Sequence, residues 1–417
     1  MMLRCVFLKG AFIFVFCCFT LVPDTSAALT RQICTVWKAI FNDEGAGEDH
    51  IGGDTIWGLA FWKARYAHYA IFRDSDGTMV HNGILNSEGC TPALSFTTGD
   101  YTFQQVTWLE RTGNRHVVVV PERYGSSNFN TPESINTYIH ISGWPSVGTI
   151  YILPTFESPD TRVAVVAGKA LQYKNTREFP SNRYIAIQPR SDWDWSQVWG
   201  DEDNKIRIAT NVDGMDHSRY KFIIGHELGH AQAAGANAMN SGSDGYVSNT
   251  SKCNCSHLSG ATMCFQSLEY SKVAQDEAWA YFYSSALFNN RETTGGMSYF
   301  RPIYVGSTPQ DAILDQYPPI TVNVDQMMKW RVNLCNEAPD TGVLQDWLAF
   351  YWNLWTVNNP KRLSVDEITD IYQNTSSSNE EWDAITEQLE ASLGNAHESY
   401  QQWVLTGWSA GVDNQGF

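Results

Sequence analysis

The sequence predicts a mixed α+β protein: an N-terminal β-sandwich, then an α+β part that becomes largely helical from about residue 265. Three observations carry this expectation. Residues 34–154 alternate β-branched and aromatic runs with clusters of Gly, Asp and Asn. Helix-like and strand-like segments then alternate between 159 and 234, and beyond 265 apolar residues recur at helical spacing.

The first element lies outside the fold. Arg4 and Lys9 precede an apolar run over 11–22, and Thr25-Ser26-Ala27 offers a small-residue cleavage site before Ala28. That order is expected of a secretory signal peptide over 1–27. The run of about a dozen residues is too short to cross a hydrocarbon core of ~30 Å as a helix, and no later run is long enough. The mature chain is therefore expected to be secreted, extracellular or periplasmic, with no membrane span. The whole chain carries a formal charge of −17, and loss of Arg4, Lys9 and Asp24 with the leader makes it −18. Such a field disfavours nucleic acid as a partner. Cys34, Cys90, Cys253, Cys255, Cys264 and Cys335 remain, an even number that allows up to three disulfides in an oxidising compartment. Cys253, Cys255, His257 and Cys264 offer a zinc knuckle as the alternative, on a spacing that is not a usual one for structural zinc.

Strands are predicted over 55–72, 79–85, 101–110 and 116–120, separated by turn clusters such as Asp74-Ser75-Asp76-Gly77 and Thr112-Gly113-Asn114. These make residues 28–155 a β-sandwich accessory domain. The second domain, 156–417, opens with a helix over 161–173, strands over 183–188 and 205–210, and a helix over 217–234 with Asp216 as its N-cap. A Gly-, Ser- and Asn-rich loop follows over 235–260. Helices are then predicted over 272–289, 325–333, 343–356, 365–372 and 380–403. Trp347, Phe350, Tyr351, Leu354 and Trp355 stripe one of them, as buried core.

The segment that carries chemistry is His226-Glu227-Leu228-Gly229-His230. Four-residue spacing puts both imidazoles on one helix face, where two nitrogens can converge on one Zn²⁺ at ~2.0–2.1 Å. Glu227 then projects beside the metal, placed to accept a proton from an activated water.

His226-Glu227-x-x-His230 on a helix, preceded by a strand over 205–210, resembles the zincin superfamily of metallopeptidases. The resemblance implies a catalytic zinc with three protein ligands and a protein or peptide substrate. The metzincin pattern is absent, since positions 233 and 236 are both Ala. The gluzincin scheme takes its third ligand from a downstream helix, which here implies Glu277 in Asp276-Glu277-Ala278-Trp279. Asp276 would face about 100° away on that helix. Ala280 and Tyr281 stand where thermolysin-like enzymes place Ser and a supporting Asp, so support for the ligands is unassigned. Asp244, in Ser243-Asp244-Gly245-Tyr246, is the competing third ligand, in the manner of aspzincins. The order Asp76-Gly77, Glu88-Gly89-Cys90, Gly99-Asp100-Tyr101 also resembles transthyretin-like accessory domains. Two other readings stay open: another zinc-dependent amide hydrolase, and an exported binding or adhesion protein with a vestigial zinc site.

Overall fold

The computed structural model describes residues 28–42, 61–111, 115–119, 132–142, 147–153, 157–173, 185–193, 196–198, 205–211, 216–235, 268–288, 341–356, 362–375, 382–410 and 412. The leader, Asp244, the cysteines beyond Cys90, the 325–333 helix and all but Gly235 of the loop expected over 235–260 lie outside the described residues.

Nine strands come first: β1 (Leu29–Lys38), β2 (Phe61–Lys63), β3 (Ala67–Arg73), β4 (Met79–Ile84), β5 (Leu94–Phe96), β6 (Gly99–Arg111), β7 (Arg115–Val119), β8 (Ser134–Ile141) and β9 (Val147–Ile152). They enter two sheets. In the smaller, β1 pairs antiparallel with β5 through its first residues, parallel with β9, and antiparallel with β2 at its end. A Cys34–Cys90 disulfide fastens β1 to the turn before β5. The larger sheet is centred on β6, whose Tyr101, Phe103, Gln105, Thr107 and Leu109 alternate inward as a half-buried strand requires. The stretch expected as one strand over 55–72 is divided within its described part by a turn at Arg65 and Tyr66, where Tyr66 takes a φ of 60°.

The larger sheet continues across the middle of the chain. With β10 (Ile185–Arg190), β11 (Gln197–Val198) and β12 (Lys205–Ala209), its order is β11-β12-β10-β7-β6-β3-β4, and β8 pairs with β6. The parallel pairing of β10 with β7 places strands from both sides of residue 155 in one sheet. Helix α1 (Pro159–Tyr173) packs against β6, β7 and β10 of this sheet and against β1 of the other. Its start is set by Pro159 at the first helical position and by Ser158, whose Oγ accepts from the Thr161 amide at 3.2 Å.

Asp216 caps a 3₁₀ turn (His217–Arg219) instead of the long helix expected from 217, and α2 (Lys221–Gly235) begins after it. Buried Arg162 pairs with Glu157 and Asp216 at 2.7 Å each and with Ser218 Oγ at 3.0 Å, which fixes this entry to α1. Lys221, wholly buried, has its ammonium 5.0–5.6 Å from the ring centroids of Phe41, Trp62 and Phe288. That cation–π box ties the first turn of α2 to the smaller sheet and to the next helix.

The rest of the described chain is helical: α3 (Ser271–Phe288), α4 (Leu344–Trp355), α5 (Val365–Thr375), α6 (Trp382–Leu393) and α7 (Glu398–Ala410), with a two-stranded ladder of β13 (Leu268–Tyr270) and β14 (Thr341–Val343) joining the starts of α3 and α4. A capping box starts α5: Ser364 Oγ accepts from the Glu367 amide, and Glu367 Oε2 accepts from the Ser364 amide. The helix expected over 380–403 is two helices. Gly394, at a φ of 82°, supplies the left-handed residue that ends α6. The five-residue aromatic and leucine stripe of α4 is fully in the core, against Trp279 and Phe282 of α3 and Trp382 and Trp403 of α6 and α7.

Candidate metal centre

Close helix contact builds the site. A Cβ at Gly229 would stand 2.7 Å from the Ala280 Cα, and one at Gly225 would stand 2.7 Å from Ser284 Oγ. Glycines one turn apart on α2 thus face small residues one turn apart on α3, and the two backbones approach more closely than side chains would permit. Ser284 Oγ also donates to the Phe222 carbonyl at 2.8 Å. Further along, Trp279 Nε1 donates to Gln232 Oε1 at 2.7 Å, and Gln232 Nε2 donates to Thr369 Oγ1 of α5 at 3.3 Å. The register of α2 on α3 is therefore fixed on both sides of the histidines.

In that register His226, His230 and Glu277 converge, each offering one ligand atom, all within 4.8 Å of one another. His226 Nε2 is 3.1 Å from His230 Nε2 and 3.3 Å from Glu277 Oε2, and His230 Nε2 is 3.8 Å from the same oxygen. Donors held at ~2.0–2.2 Å by a tetrahedral zinc ion lie about 3.3–3.6 Å apart, so the set is close to the edges of one coordination shell. The donor chemistry, two imidazoles and a carboxylate, also suits zinc. His226, His230 and Glu277 could hold a metal ion.

Charge points the same way. Glu227, Asp276 and Glu277 are all buried, and gathering carboxylates away from water is costly unless positive charge accompanies them. Burial pushes the Glu227 carboxyl above its usual range, with Glu277 and Asp276 adding to the rise and the two imidazoles opposing it. Burial by itself would lower the His230 imidazole, but Asp276, followed by Glu277 and Glu227, outweighs it and pushes the group up to about 10. A divalent cation would answer the same negative field.

The residues expected from the sequence are thus placed as follows. His226, Glu227 and His230 share two turns of α2, and Glu277 reaches them from α3. Tyr281 lies against His226, with ring centroids 4.5 Å apart. The sequence does not single out Asp276, yet its Oδ2 lies 3.0 Å from His230 Nδ1, at ion-pair distance though not aligned as a hydrogen bond. Nor does it announce the Gly225-x-x-x-Gly229 face. The visible signal was a second small pair at the same spacing, Ala280 and Ser284.

No known family profile matches the chain. No curated protein matches it either. Among solved structures, the Bacillus anthracis TIE protein aligns at 10% identity with a TM-score of 0.17, over 30% of this chain and 17% of that one. The likeness spans under a fifth of that protein and is too slight to define a shared fold.

Proposed function

We propose that the chain is a secreted zinc-dependent metallopeptidase acting on protein or peptide substrates. The observation that carries this reading is the convergence of His226 Nε2, His230 Nε2 and Glu277 Oε2 beside the buried carboxyl of Glu227. In this reading His226, His230 and Glu277 hold zinc, which when bound acidifies a water and polarises the scissile carbonyl. Glu227 accepts the water's proton and returns it to the departing amine, so one carboxyl serves as base and then as acid. A site that only stabilised the fold would have no use for a buried base next to the ligands.

Export is supported by the Cys34–Cys90 disulfide, a bond favoured in oxidising compartments. Among the described residues no helix is long and apolar enough to cross a membrane.

The test is hydrolysis of casein or a peptide library by wild type and Glu227→Gln, with and without a chelator. Wild-type turnover should vanish with the chelator and return with zinc. Glu227→Gln should keep zinc and lose turnover, because the amide is nearly isosteric and takes up no proton. Equal turnover by the two proteins would contradict the mechanism.

A further inference from the structure

We infer that Asp276 positions His230 for the metal, an inference that rests on the metal-site reading above. Asp276 and Glu277 are consecutive on α3, yet they meet opposite edges of one imidazole. Glu277 Oε2 lies 3.8 Å from His230 Nε2, while Asp276 Oδ2 lies 3.0 Å from His230 Nδ1. The ring stands between a ligand carboxylate and a supporting one.

The chemistry explains why such a partner is useful. An imidazole that turns the Nε2 lone pair to a cation carries its hydrogen on Nδ1, and an acceptor there selects that tautomer, holds the ring plane and raises ligand basicity. Asp276 is 5% exposed, so its carboxylate is withdrawn from water and needs a polar neighbour of this kind.

The two histidines are supported differently. Nδ1 of both imidazoles is buried without an aligned hydrogen bond, and among the described residues only that of His230 has a carboxylate beside it, so His226 is held differently. Its ring is instead packed by Tyr281 at 4.5 Å and Phe222 at 6.4 Å between centroids. Aromatic packing orients one ligand and a carboxylate orients the other. Asp276 fills this role from the position just before the third ligand, whereas Ala280 and Tyr281 occupy the places after it that a thermolysin-like pattern would use.

The experiment measures zinc affinity by chelator competition, together with the visible spectrum of the cobalt(II)-loaded protein, for wild type, Asp276→Ala and Asp276→Asn. Asp276→Ala should bind zinc about 10–100-fold more weakly and shift the cobalt bands. Asp276→Asn, close to isosteric and still offering an acceptor oxygen, should recover part of both; if the alanine variant does not fold, the asparagine variant decides. Wild-type affinity and spectrum in the variants would overturn the inference, even with a lowered Tm, since that combination marks a purely structural residue. Failure of wild type to bind zinc would overturn the underlying metal-site reading instead.

Discussion

The α2–α3 pair and the α4–α6–α7 cluster both pack helix on helix, but they spend their glycines differently. At Gly229 the missing side chain makes room for the backbone of Ala280, and the two helices close on each other. At Gly407 it makes room for the ring of Trp382, which stacks on Trp403 with centroids 5.5 Å apart and planes within 6°. The first arrangement brings short polar side chains within coordination distance of each other. The second fills space with large rings. Where backbones meet, chemistry can be built; where rings meet, stability is.

The largest stability effect should come from the aromatic side. Trp403 is wholly buried against Phe350 and Trp382, and Trp403→Ala should cost about 3–5 kcal/mol by chemical denaturation, with zinc stoichiometry unchanged. Loss of zinc in that variant would break the distinction between the two regions.

Gly229→Val should behave in the opposite sense. Its Cβ meets backbone, which has no rotamer with which to yield, so α2 and α3 must separate. A stability loss of about 1–3 kcal/mol is expected, smaller than for Trp403→Ala, but with loss of zinc. Metal analysis beside the denaturation curve checks both halves, and retained zinc would show that close approach is not what assembles the site.

The smallest effect sharpens the contrast between two imidazoles. Neighbouring carboxylates push the His230 imidazole up, whereas burial lowers the His217 imidazole, opposed by Asp216. Ser196 Oγ accepts from the Ala209 amide and is also hydrogen-bonded to His217 Nδ1, at 2.9 Å. Because the folded value lies below the unfolded ~6.5, the unfolded chain binds more protons in that window, and stability falls as pH drops through it. His217→Asn keeps an acceptor and loses the titration. Its stability difference between pH 7.5 and 5.5, from denaturation midpoints, should be smaller than that of wild type; an equal or larger difference would remove His217 as a source of acid sensitivity.

Much of the candidate metal site was legible in the sequence because it depends on one helix at a time. The i, i+4 histidines and the interposed Glu227 follow from helical spacing, and Glu277 from the downstream helix that the gluzincin resemblance implies. Asp276 was not legible for the same reason. An angle of about 100° on its own helix says nothing of where the other edge of His230 will stand. Gly225 and Gly229 likewise acquire meaning only against Ala280 and Ser284. In the sheets, β4, β6 and β7 followed their expected spans closely, since their turns are local. The parallel pairings of β1 with β9 and β7 with β10 are non-local and left no sign in spacing. The break at Gly394 was available from glycine's tolerance of positive φ, but the apolar spacing on either side runs through it.

The central claim is that α2 and α3 together hold one zinc ion, and elemental analysis of the purified mature protein and two variants tests it most directly. Wild type should carry one zinc per chain. Glu277→Ala should lose it, since two imidazoles supply only half of a tetrahedral shell, and Asp244→Ala should keep it. Zinc retained in Glu277→Ala and lost in Asp244→Ala would contradict the account and make Asp244 the third ligand.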